Sequence, residues 1–141
     1  MQFAAVVVLA WMTALSCYDV RERRLPNRLT LPGAAAILVG AAVAGRGLWA
    51  LGGAAALAGV YLLVHLIDPA AMGAGDVKLA LGCGGLTGCF GVDVWFLAAL
   101  AAAVVTGLCG VVGSARGART VPHGPSMCLA TAAAAGLALL H

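Results

Sequence analysis

Five side chains in this sequence can carry a negative charge: Asp19, Glu22, Asp68, Asp76 and Asp93. Two of them stand where chemistry could be done. Asp19 closes one apolar run and Asp76 opens another. If those runs are helices that cross a membrane in opposite directions, both acids fall at the same end of the bundle. Two carboxyl groups held a few ångströms apart cannot both ionise easily, so the pair retains a proton. Such a pair can split an amide, the ionised member taking a proton from water while the protonated member polarises the carbonyl oxygen. The acids can meet if the first and fourth helices are neighbours. The other three have simpler readings. Glu22 lies among arginines as a solvated partner, Asp68 precedes Pro69 at the end of a span, and Asp93 occupies an outer turn. Ionisable groups at span ends need no special role.

The elements that must carry these acids are membrane helices. A chain of 141 residues suffices for one domain, expected to span 1–141. It is 63% hydrophobic and 9% charged, against about 25% charged in an ordinary soluble domain. That balance excludes a cytosolic enzyme, a disordered segment and a secreted disulfide scaffold. Backbone groups in lipid must bond internally, so the apolar runs are read as helices. The expected fold is an all-α integral membrane protein, a six-helix transmembrane bundle. Its spans are Met1–Tyr18, Leu29–Gly45, Leu48–Ile67, Val77–Val92, Val94–Gly113 and Val121–Leu140. The abundance of Ala and Gly predicts close helix packing.

Charge sets the direction. A cleavable signal carries positive charge ahead of its apolar stretch, whereas Arg21, Arg23, Arg24 and Arg28 follow the first run. Cytoplasmic retention of that loop puts both termini outside and segments 19–28, 68–76 and 114–120 inside. Every Lys and Arg except Arg46 then lies in or beside a cytoplasmic segment.

Two motifs surround the acids. The first runs Asp19-Val20-Arg21-Glu22-Arg23-Arg24-Leu25-Pro26-Asn27-Arg28-Leu29-Thr30. Pro26 fixes a turn, and Asn27 or Thr30 can cap the next helix. The arginines can enforce topology, bind anionic head groups or contact substrate. The second is Gly73-Ala74-Gly75-Asp76-Val77-Lys78-Leu79. Its glycines allow torsions and close approaches that would admit an extended strand beside Asp76, although a plain loop before a helix reads equally well. Farther on, Gly84 and Gly88 form a G-x-x-x-G contact surface that argues for an interior fourth helix.

At these motifs the sequence resembles the type IV prepilin peptidases, membrane aspartic proteases with a G-x-G-D signature. Their pairing of Asp with Pro-Asn seven residues on is matched by Asp19 and Pro26-Asn27, and their G-x-G-D-x-K-L string by Gly73 to Leu79. A third element, usually P-F-G-P, reads Pro122-His123-Gly124-Pro125, with His in place of Phe. The resemblance implies Asp19 and Asp76 as the catalytic pair, with Gly73, Gly75, Lys78, Pro26 and Asn27 shaping the site or touching substrate. It implies prepilin or pseudopilin substrates with a short basic leader, cleaved at the cytoplasmic face of the inner (plasma) membrane. Membrane lipids are the other partners, and nucleic acid is not one. No metal or organic cofactor is implied, since an aspartic dyad needs only water. Larger members carry a cysteine-rich N-terminal region and methylate the new N-terminus; this sequence resembles the compact peptidase-only form.

The remaining candidates are weaker. Cys17, Cys83, Cys89, Cys109 and Cys128 form no C-x-x-C pair and read as small apolar residues. His65 reads as a bundle hydrogen-bonding residue, while His123 either lines the site or lies at the interface. Rival readings are a small ion-coupled transporter and a non-catalytic membrane protein of pilus or secretion assembly. Transporter sites favour the midplane, and both acids here are expected at one face.

Overall fold

A computed structural model describes residues 2–141, so Met1, where the first expected span begins, lies outside them. The described residues form six helices: α1 (Gln2–Glu22), α2 (Asn27–Val43), α3 (Gly47–Ile67), α4 (Ala74–Gly88), α5 (Val92–Ala115) and α6 (Gly124–Leu140). They contain no strand. α1, α3 and α5 are long and apolar enough to cross a membrane, and α2 and α6 are shorter apolar helices. At 15 residues α4 is about 22 Å long, less than the hydrocarbon thickness.

The helices start and stop for local reasons. Pro26, extended at φ −69° and ψ 130°, stands immediately before α2. Neither Asn27 nor Thr30 caps that helix, contrary to expectation. The Thr30 hydroxyl donates back to the Pro26 carbonyl at 3.2 Å, and the Asn27 side chain accepts a bond from another helix. α4 begins three residues before the expected Val77, because Gly73 is its extended N-cap and Asp76 belongs to its first turn. Acidic residues suit the positive end of a helix dipole. α1 runs past Tyr18 to Glu22 and ends at Arg23, which adopts a left-handed φ of 54°.

Packing places α4 in the middle, against α2, α3, α5 and α6. Its tightest neighbour is α3. A Cβ on Gly84 would meet the Gly53 carbonyl oxygen at 2.5 Å, and one on Gly88 would meet the Trp49 carbonyl oxygen at 2.6 Å. The two backbones therefore touch through small residues, the mode of association that works in lipid, where apolar burial gives little driving force. The Trp95 indole donates to the Gly53 carbonyl at 3.0 Å, fastening α5 to the same pair. α1 packs chiefly on α6 and more lightly on α2. Among the described residues α1 and α4 make no close backbone approach. The acids were expected to meet if α1 and α4 are neighbours; the two helices touch through the Trp11 side chain, which lies against Gly82, while α2 and α6 flank both.

Met12 and Leu15 of α1, Leu57 and Tyr61 of α3, and Leu79 of α4 join one buried cluster. Outward faces are the reverse of a soluble domain: Phe3, Leu48, Leu66, Leu108 and Val111 are all more than 60% exposed. Apolar surface on that scale, spread over three long helices, belongs against hydrocarbon.

Candidate active site

Successive helices alternate in direction, so one end of the bundle gathers the α1–α2, α3–α4 and α5–α6 connections. Hydrogen bonds tie them together there. Arg23 donates to the Thr120 carbonyl at 3.0 Å and also to its hydroxyl. Lys78 Nζ donates to Asn27 Oδ1 at 2.7 Å, joining the first motif to the second. His65 Nδ1 lies 2.6 Å from the Met72 carbonyl oxygen, as befits a histidine that bonds within the bundle. Asp68 ends α3 and takes the N–H groups of Ala70 and Ala71, at 3.0 and 3.3 Å. Arg46 sits at the opposite end, donating to the Cys89 carbonyl at 2.7 Å.

Asp19 occupies the last turn of α1 and is only 7% exposed. Its Oδ2 accepts the backbone N–H of Gly124, the first residue of α6, at 2.9 Å. The approach is tight enough that a Cβ on Gly124 would fall 2.5 Å from that same oxygen. Asp76, half-buried in the first turn of α4, turns its carboxyl back toward the Gly73 backbone, at the positive end of its own helix dipole. The two carboxyls lie within electrostatic reach of each other. The Tyr61 hydroxyl of α3 shares the neighbourhood of Asp76.

The flanking residues divide. Gly75 is present for close approach, since a Cβ there would meet the Leu25 side chain at 3.0 Å. Gly73 has φ −72°, which any residue can adopt, so the torsional reason for a glycine does not apply to it. Pro26 and Asn27 lie at the entry to α2, and Asn27 reaches the second motif only through Lys78. Among the described residues no three His, Cys, Asp or Glu side chains converge as metal ligands would. The five cysteines are free thiols, and Cys83 and Cys128 face each other between α4 and α6.

The model of the type IV leader peptidase family matches residues 6–111, well over half of the chain and inclusive of both acid-bearing motifs. The chain belongs to that family. No curated protein and no solved structure matches it. Membership of the type IV leader peptidase family makes the chain a peptidase, and the three long apolar helices are in keeping with a membrane location. The family match stops before α6, so the Gly124 contact with Asp19 is known from the geometry alone.

Three participants escaped the sequence reading: the Gly124 N–H, Tyr61 and Thr106. His123 Nε2 lies 2.6 Å from the Tyr61 hydroxyl, and its Nδ1 bonds the Thr106 hydroxyl. The third motif could have pointed to Gly124. A tyrosine within an otherwise apolar span is a signal too, because a buried phenol needs a partner.

Proposed function

We propose that this chain is an aspartic endopeptidase of the membrane that removes the short basic leader of type IV prepilins or prepilin-like proteins. The observation that carries the proposal is the convergence of Asp19 and Asp76, from separate helices and separate motifs, at one end of the bundle. In this reading the ionised acid draws a proton from water as its oxygen attacks the scissile carbonyl. The protonated acid bonds the carbonyl oxygen and stabilises the tetrahedral intermediate. Collapse breaks the C–N bond, and the departing amine takes up the proton. One acid must begin ionised and the other protonated, which a close pair of carboxyls maintains.

Pro26, Asn27, Gly73, Gly75 and Lys78 shape the site. The Lys78–Asn27 bond holds the two motifs in register, and Gly73 leaves room for a peptide strand beside Asp76, since a Cβ there would meet only the Asp76 carboxyl. We further propose that all six helices form one transmembrane domain over 1–141, with both termini outside and the acids at the cytoplasmic face of the plasma membrane. Supporting this orientation, every Lys and Arg but Arg46 clusters at the acid-bearing end. α4 need not match the full lipid thickness because other helices surround it.

Co-expression with a prepilin-like substrate tests the reading. Wild type should shorten the substrate by its leader, and Asp19→Asn or Asp76→Asn should each leave it full length. Processing that persists in either variant would refute the dyad.

A further inference from the structure

His123 is the junction of three helices. It stands in the connection from α5 to α6, its Nδ1 on the Thr106 hydroxyl of α5 and its Nε2 2.6 Å from the Tyr61 hydroxyl of α3. The Tyr61 and His123 rings also pack against each other, centroids 5.3 Å apart and tilted by 40°. Its carbonyl accepts the Met127 N–H at 3.1 Å, which starts α6. The very next backbone N–H, that of Gly124, is the one that bonds Asp19.

A neutral imidazole has one donor and one acceptor nitrogen. Hydroxyls can play either part, so Tyr61 and Thr106 satisfy both nitrogens in either tautomer. With both edges held, the ring cannot rotate, and the peptide that follows it is fixed relative to α3 and α5. Asp19 arrives on α1, which packs mainly on α6, so its carboxyl depends on how the start of α6 is set.

We propose that His123 is a positioning residue, anchored by Tyr61 and Thr106 so that the Gly124 N–H is aimed at Asp19. The inference rests on the reading of Asp19 and Asp76 as the catalytic pair. His123 touches neither acid in this arrangement; it acts through the backbone of Gly124. Tyr61 has a second relation to the site through its nearness to Asp76, and Thr106 has none, which makes Thr106 the discriminating position.

The test uses the full chain in lipid nanodiscs with a prepilin-like substrate carrying a basic leader, measuring kcat and KM separately. His123→Phe keeps a ring of similar size and removes both bonds; Tyr61→Phe and Thr106→Val each remove one hydroxyl with little change of volume. Tyr61→Phe and Thr106→Val should each lower kcat by roughly tenfold, the effect expected for one lost internal hydrogen bond, and His123→Phe, which loses both, by at least as much, with KM unchanged. The Thr106→Val/His123→Phe double variant should be no slower than His123→Phe alone, and His123→Gln should recover part of the loss. A kcat within twofold of wild type for both His123→Phe and Thr106→Val overturns the proposal, as does an effect confined to KM or to Tyr61→Phe. Asp19→Asn and Asp76→Asn are run alongside. If they are inactive while the His123 and Thr106 variants are not, only the positioning role fails; if they still cleave, the dyad itself does.

Discussion

Gly124 offers the sharpest perturbation of the site. Replacing it by Ala adds one carbon, which would sit 2.5 Å from Asp19 Oδ2, 3.1 Å from Cγ and 3.3 Å from Cβ. No real Cβ tolerates the first of these distances, so the carboxyl must swing away or the start of α6 must withdraw. Either movement breaks the 2.9 Å bond from the Gly124 N–H. A hydrogen bond to a charged group contributes about 1.5–3 kcal/mol, and each 1.4 kcal/mol is a factor of ten. Cleavage should therefore slow by about 10- to 150-fold. Helix propensity cannot be the cause. Gly124 does not occupy a left-handed conformation, and Ala is the better helix former. Gly136→Ala in the same helix is the control, since a Cβ there meets nothing within 4 Å; it should cleave normally and melt no earlier. The assay is the initial rate of leader removal in membranes, with thermal unfolding in detergent for both variants. Gly124→Ala cleaving within threefold of wild type would show that the contact with Asp19 has no part in the chemistry.

Gly84→Ala probes the packing that centres α4. Its Cβ would meet backbone atoms of Gly53, which cannot yield as a side chain can, and overpacking of this kind costs about 1–3 kcal/mol. The melting temperature in detergent should fall, whereas Gly59→Ala, where a Cβ finds open space, should leave it unchanged. Lys78→Met removes the 2.7 Å bond to Asn27, which is exposed at the end of the bundle, so cleavage should slow by no more than about fivefold. A complete loss of cleavage in Lys78→Met would instead make that ammonium a direct substrate contact.

Much of the architecture was legible because lipid restricts a chain to so few forms. Each of the six apolar runs corresponds to a helix, and the G-x-x-x-G of Gly84 and Gly88 does belong to an interior helix, its contact being with α3. Boundaries shifted where hydropathy is blind to capping. Ala74 and Gly75 read as loop by composition, yet they already belong to α4, with Asp76 in its first turn as a helix start favours. At the end of α1, Asp19, Arg21 and Glu22 stay helical despite their polarity, because charge at a helix end can reach the interface. The two acid-bearing motifs were legible in the sequence and the packing between their helices was not. Nothing in a hydropathy pattern says that α1 reaches α4 through the Trp11 side chain, with α6 and α2 flanking both. Tyr61, Thr106 and His123 come from three elements far apart in the chain, so no local spacing could join them.

The position of α6 explains why the third motif belongs with the other two. Asp19 stands at the C-terminal end of α1, where unpaired carbonyls make the dipole negative and a carboxylate is poorly served by its own helix. Asp76 stands at an N-terminal end and draws on its own first turn. α6 begins beside Asp19 with unpaired N–H groups facing outward, and Gly124 brings one of them to the carboxyl. A bulkier residue could not come so near, and a helix starting one turn later would present the N–H out of reach. Pro125, lacking an N–H, costs α6 nothing at its second position, where no intrahelical bond forms. Read this way, Pro122-His123-Gly124-Pro125 is a device for supplying Asp19 with the donor that α1 cannot give it.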